Sequence, residues 1–238
     1  MTIRAIDDNS HTGNEMRSFH DSKELKQEYV DRVEHHQAAD EITQGTYWEN
    51  GKGCAVGCTI HSDDHHNYEV ALGLPEWLAH LEDRLFEGMS NVDAKAFPLI
   101  FLEAINVGSN LTSVKSKFLA VVLEFSLKQF DNNKNLNCTK AIKGVIHFYK
   151  TGEGNLTELR KFAADAADAA AYGYGYDSHD DDVAAAYAAA YAAADASHDN
   201  DVADAADDAA DAADAVSPRQ VVYKYFADQL IDILKETV

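Results

Sequence analysis

Between Lys52 and Glu69 the sequence gathers residues capable of chemistry: Lys52, Cys54, Cys58, His61, Asp63, Asp64, His65, His66 and Glu69. Cys54, Cys58, His61 and His65 follow C-x3-C-x2-H-x3-H spacing. They could supply four tetrahedral ligands to a zinc ion, although structural zinc sites usually set their ligand pairs further apart. A second chemistry is redox. Lys52 or a nearby imidazolium would lower a cysteine pKa, and the other cysteine would resolve an oxidised intermediate. A third is anion binding, because the run Gly51-Lys52-Gly53-Cys54-Ala55-Val56-Gly57-Cys58-Thr59 could turn N–H groups toward one anion, with Lys52 and Gly53 at its centre. The Gly-Lys-Ser/Thr ending of a Walker A loop is absent. The plain structural alternative buries both cysteines as small apolar residues in a glycine turn, with His and Asp capping the next helix. His35-His36 on the first helix could join this cluster in space. No Ser/His/Asp triad or carboxylate pair stands out, so no catalytic residue is assigned.

The second unusual set is a row of aspartates. Val202, Ala205, Ala206, Ala209, Ala212, Ala213 and Val216 recur at helical spacing and form a small-residue packing face. The opposite side carries Asp201, Asp204, Asp207, Asp208, Asp211 and Asp214. Like charges three or four residues apart on a helix repel by about 0.2–0.5 kcal/mol per pair, so this helix carries on the order of 1–3 kcal/mol of self-repulsion. Asp is also a poor residue for a helix interior. One reading is a solvated face screened by high salt, as in a halophile-adapted structural protein. Another is an interaction face for a basic protein surface. Successive turns ~5.4 Å apart would mimic loosely the phosphates of a nucleic-acid strand. Calcium at the Ser-His-Asp corners is a third, but their spacing is not that of an EF-hand.

The elements that must position these residues read almost entirely as helix. Ser22 caps a first helix with Leu25, Tyr29, Val33 and Ile42 on its apolar side, ending near Gly45. Residues 46–59 read as a structured loop, and Ser62 as the cap of a short helix through Ala71. Pro75 opens a helix whose apolar face is Trp77, Leu78, Leu81 and Leu85, closed by Gly88. Further helices are expected at 93–106, 112–131 and 138–150. Asn155 with Glu158 has the form of a capping box. Pro218 opens the last helix, with Val222, Phe226, Leu230, Ile233 and Leu234 broadly to one side. All three prolines are expected at helix starts or breaks, and the faint strand signals lie at residues 2–6 and near Thr59.

Composition changes after Lys161. Residues 162–238 hold 3 Lys+Arg and 17 Asp+Glu, a net of −14 out of −21 for the whole chain. No Lys or Arg occurs between Phe162 and Val216. Ser178-His179-Asp180-Asp181-Asp182-Val183 recurs 19 residues later as Ser197-His198-Asp199-Asn200-Asp201-Val202, which predicts stacked short helices joined by polar corners. Tyr172, Tyr174, Tyr176, Tyr187 and Tyr191 would fill space left by Ala or, if exposed, serve as contact anchors. The expected organisation is all-α: a multi-helix bundle with an N-terminal helical part over 1–161 and an Ala-packed C-terminal helical repeat over 162–238, or one continuous domain.

A surface so acidic repels phosphate backbones and anionic membranes, which argues against direct nucleic-acid or membrane binding. No apolar signal segment opens the chain and no apolar run is long enough to span a bilayer. Three cysteines do not form a secreted disulfide framework. A cytoplasmic protein is expected.

The chain resembles an uncharacterised family of bacterial and phage proteins. The resemblance rests on Lys52-Gly-Cys-Ala-Val-Gly-Cys-Thr59, on Leu74-Pro-Glu-Trp-Leu78 with Leu81-Glu-Asp83 and Phe86-Glu-Gly88, and on the Ala-rich helices. The Ala-rich half is also similar in composition to immunity proteins built of Ala-rich helices. In the family, Ser, Arg or Glu separates the Ala pairs; here the spacer is mostly Asp. The resemblance implies a phage or mobile-element setting. The function expected is therefore an acidic, non-enzymatic binding or inhibitor protein, of anti-defence or immunity type, that engages a basic partner through its Asp face. The alternatives are a thiol or zinc protein using Cys54, Cys58, His61 and His65, no cofactor being expected otherwise, and a halophile-adapted structural protein.

Overall fold

A computed structural model of the chain describes residues 16–129, 136–155, 157–159, 161, 201–213 and 217–238. The fold is all-α apart from one two-stranded hairpin. A 3-10 turn at Ser18–Asp21 precedes α1 (Lys23–Ala38), the hairpin β1 (Trp48–Glu49) and β2 (Lys52–Gly53), and the short helices α2 (Ala55–Ile60) and α3 (Asn67–Leu72). The larger helices follow: α4 (Glu76–Gly88), α5 (Asn91–Ala104), α6 (Thr112–Gln129), α7 (Leu136–Thr151), α8 (Asp201–Ala212) and α9 (Arg219–Lys235). No helix among the described residues is long and apolar enough to cross a membrane. The repeat corners at 178–200, the five tyrosines between 172 and 191, and the strand signal at residues 2–6 lie outside the described residues.

Local chemistry sets most boundaries. The Ser22 side chain accepts from the Leu25 N–H at the start of α1, and Ser90 does the same for Asp93 at the start of α5. Pro75 and Pro218 stand immediately before α4 and α9, where a missing N–H costs nothing. Asn155 Oδ1 accepts from the Glu158 N–H.

Four boundaries depart from the sequence reading. α1 stops at Ala38 rather than near Gly45, because Asp40 turns left-handed and pairs with Lys95. Ile42 is nevertheless buried, carried inward by the following loop. Ser62 caps no helix; its oxygen accepts from the Asp64 N–H within a turn. Pro98 lies inside α5, where it is buried, so packing outweighs the hydrogen bond that proline removes. Residues 46–59 are not one loop but a hairpin followed by α2. Asn50 and Gly51, both at positive φ, make the two-residue turn, a geometry for which Asn-Gly is the preferred pair.

One hydrophobic cluster runs through the described residues from Phe19 to Leu234, spanning both sides of position 161. α4 lies at its centre and packs against α2, α3, α5, α8 and α9. Trp77, Leu78, Leu81, Leu85 and Phe86 turn inward from it as their spacing predicts. Burying side chains of this size contributes about 1.5–3 kcal/mol each. α9 fills the angle between α4, α5 and α6, with Phe226 ring-to-ring against Phe118 at 6.2 Å and Phe125 at 5.1 Å. The Ala face of α8 is buried as expected at Val202, Ala205, Ala206, Ala209 and Ala213, against α4 and α6.

Gly88 shows how tightly α4 and α9 are joined. A Cβ at this position would run into the Tyr223 ring. Gly88→Ala should therefore destabilise the protein by about 1–3 kcal/mol through overpacking, read as a lowered denaturation midpoint. A midpoint equal to wild type would show that the two helices do not approach this closely.

Candidate functional site

The glycine–cysteine segment is built into the core. Cys54 is the N-cap of α2, and its Sγ accepts from the Gly57 N–H at 3.4 Å. The Cys58 thiol donates to the Gly53 carbonyl at 3.3 Å, and both cysteines are buried. Three backbone donors of the segment are engaged within the fold: Gly53 N–H with Glu41 O at 3.1 Å, Cys54 N–H with Thr46 O at 2.6 Å, and Cys58 N–H with Cys54 O at 2.9 Å. Of the two residues of the expected anion site, Gly53 has its N–H so engaged, and Lys52 is exposed on β2. The glycines have another purpose, since a Cβ at Gly53 or Gly57 would meet the Tyr47 carbonyl oxygen. Removing those two Cβ atoms lets the residue 47 backbone lie flat on α2.

Burial pushes the Cys58 thiol up to about 12. It raises Cys54 as well, with the Asp83 carboxylate adding to the effect. A buried thiol held protonated is a poor nucleophile. The two histidines of the expected zinc set point elsewhere. His61 Nε2 lies 2.8 Å from His36 Nε2, and its ring stacks on Trp48 at 4.4 Å. His65 stacks on His80 at 4.2 Å, with its Nε2 3.8 Å from Asp83. Cys54, Cys58, His61 and His65 therefore do not converge. Among the described residues no three His, Cys, Asp or Glu side chains are arranged to hold a metal ion. The spacing misleads because residues four apart share one side of α2, and that side is buried.

Of the His35-His36 pair, His36 joins this region and His35 stays exposed. His36 Nδ1 lies 2.7 Å from Glu41, so a carboxylate orients a buried imidazole that meets a second imidazole. Two Nε2 atoms at this distance share one proton. Burial first, then Arg32 and His36, hold His61 below the ordinary imidazole range.

Glu82 is a buried acid that the sequence reading did not single out. It is fully buried on α4 and accepts the Tyr68 O–H at 2.5 Å; its Oε1 has no hydrogen-bond partner. Burial raises its carboxyl to about 8 against the Tyr68 bond, with Asp83 adding to the rise. The signal was present in the sequence, since positions 78, 82 and 86 follow one helical stripe with apolar residues on either side of Glu82.

The aspartate row meets two arginines of the same chain. Arg84 of α4 contacts Asp204 at 3.2 Å and Asp207 at 3.1 Å. Arg219 of α9 contacts Asp207 at 2.8 Å and also pairs with Asp211. The Tyr223 O–H donates to Asp207 as well. Burial, then this carboxylate, push the Tyr223 phenol up to about 12, so it remains a donor. Asp208 is raised to about 6, by burial first and then by Asp207 and Asp204. No basic residue lies within this row in sequence, but Asp204, Asp207 and Asp211 meet arginines from two other helices. The Asp201 side chain and Asp214 lie outside the described residues.

No protein-family model matches the chain, and no curated protein or solved structure matches it either. The functional reading rests on the residues themselves.

Glu82 makes a pH test possible. Its folded pKa of about 8 lies above the ordinary 4.5, so between those values the folded chain holds a proton that the unfolded chain has lost. Stability then falls as pH rises through this window. Glu82→Gln keeps the acceptor for Tyr68 and removes the ionisation. The variant should gain on the order of 2–4 kcal/mol relative to wild type between about pH 5 and about pH 8.5, measured by denaturant titration at both. Parallel pH dependences for the two proteins would contradict a proton held on Glu82.

Proposed function

We propose that this chain is an acidic, non-enzymatic binding protein of inhibitor type, and that it engages a basic protein surface through α8 and its surroundings. The observation that carries this reading is the charge imbalance on α8. Asp204, Asp207, Asp208 and Asp211 face two guanidinium groups, Arg84 and Arg219. Asp204 and Asp211 side chains remain 44% and 47% exposed in their pairs, which leaves carboxylate oxygens open to a partner. Asp208 is raised by burial first and then by the neighbouring Asp207 and Asp204 carboxylates, so a cation brought by a partner would relieve repulsion that the chain leaves in place. The resemblance carried in part by Lys52–Thr59 implies a phage or mobile-element setting, in which this chain acts as an anti-defence or immunity protein on a basic host partner.

Two features argue against the thiol or zinc alternative. The thiols are buried and protonated, and the predicted zinc ligands diverge. Their chemistry is that of a core, not of an enzyme centre.

Attraction between exposed charges weakens with ionic strength as the Debye length falls from about 10 Å at 0.1 M to about 3 Å at 1 M. The immobilised chain should therefore retain a basic host protein at about 0.1 M KCl and release it toward about 1 M. Replacing Asp204, Asp208 and Asp211 by Asn should abolish retention while the variant still melts cooperatively. Retention that ignores salt and these substitutions contradicts the proposal. A melting temperature that climbs steeply with KCl, without any salt-sensitive partner, points instead to salt adaptation.

A further inference from the structure

We propose that a polar cavity between the residue 47 loop, α4 and α8 receives an arginine side chain of the protein partner. This rests on the reading above for the sign of the partner's charge, and it assigns the place where one cation seats. The cavity has a volume of about 360 Å³ and is lined by Tyr47, Asp63, His65, His80, Asp83 and Arg84, with Ala203 of α8 at one side. That is the lower end of the size range of small-ligand sites and suits one long side chain.

Two observations select a guanidinium. The first is charge. The cavity presents two carboxylates, Asp63 and Asp83, and one cation, Arg84. The Arg84 terminal nitrogens are already held by Asp207 and Asp204, so the uncompensated charge in the cavity is negative. An anion entering here would face both carboxylates and a guanidinium whose donors are in use. The second is shape. His65 and His80 stack 4.2 Å apart with their rings 11° from parallel, and Tyr47 stands edge-on to His65 at 6.2 Å. An aromatic lining takes a flat, weakly hydrated guanidinium better than a compact ammonium.

The source is a protein side chain rather than free arginine. Tyr47 is 58% exposed at the rim, and an exposed tyrosine beside a pocket is a common interface anchor. The acidic α8 runs past the same opening through Ala203 and Asp204, so a basic partner lying on α8 passes over the cavity.

The test is an NMR titration of the full chain, following the imidazole signals of His65 and His80 and the ring of Tyr47. The probes are N-acetyl-arginine methylamide, its lysine equivalent, free arginine and inorganic phosphate. The arginine amide should shift all three residues and bind about fivefold or more tightly than the lysine amide. Tyr47→Ala and Asp63→Asn, both at exposed positions that spare the core, should each weaken it by about fivefold. Asp228→Asn, on the exposed face of α9 and outside the cavity, should leave it unchanged. Preference for phosphate, equal binding of lysine, or no response at His65 and His80 would overturn the proposal. Free arginine binding about tenfold or more tightly than its blocked amide would overturn the side-chain assignment. Since the titration uses small probes, it fails separately from the capture experiment. Salt-sensitive capture without a shift at His65 overturns the cavity alone, and a normal titration without capture overturns the proposed function alone.

Discussion

The Asp207 carboxylate is the point on which the packing of the C-terminal helices turns. It receives Arg84 from α4, and Arg219 and the Tyr223 hydroxyl from α9, while itself belonging to α8. Alanine faces allow close approach but bury little area per residue, so they set the distance between helices better than their rotation. A carboxylate with donors from two other helices sets that rotation. Tyr223 can reach it because Gly88 leaves room for the ring against α4. The energy of each pair is modest where the groups stay part-exposed, and the geometric consequence is larger than the energetic one.

The same node decides how much of the chain's acidity is free for a partner. Part of the α8 charge is structural, held by arginines that come from far along the chain. What remains is Asp208, with its raised pKa, and the outward oxygens of Asp204 and Asp211. The glycine–cysteine segment contributes to this surface indirectly. Gly53 and Gly57 accommodate the Tyr47 carbonyl, Cys54 and Cys58 anchor α2 in the core, and together they place the Tyr47 ring at the mouth of the cavity. The most motif-like stretch of the sequence is thus a positioning device, with its chemistry carried by neighbours such as His65, His80 and Asp83.

What was legible in the sequence was local. Ser22, Pro75, Pro218 and Asn155 mark helix starts by their own hydrogen bonding or lack of it, and the Ala stripe from Val202 to Ala213 announces a packing face by its period. Glu82 was legible too, as a polar residue in an apolar stripe of α4. The Asn50-Gly51 turn carried its signal, but strands of two residues offer no alternation to confirm it. What was not legible were contacts between distant positions. Arg84 and Asp207 lie 123 residues apart, and neither the His36–His61 contact nor the His65–His80 stack follows from any spacing along the chain. The cysteine–histidine spacing suggested a metal because sequence distance was taken for spatial convergence, whereas the left-handed turn at His61 sends the histidines away from the buried thiols.

The claim most open to direct measurement is that α8 is braced from within by Arg84 and Asp207. A double-mutant cycle with Arg84→Gln, Asp207→Asn and the pair, each unfolded in denaturant, isolates their coupling. This account predicts a favourable coupling of about 1 kcal/mol for such a part-exposed pair, reduced but not abolished at about 1 M KCl. Additive single substitutions, with no coupling at low salt, would contradict it and return the whole aspartate row to the solvent.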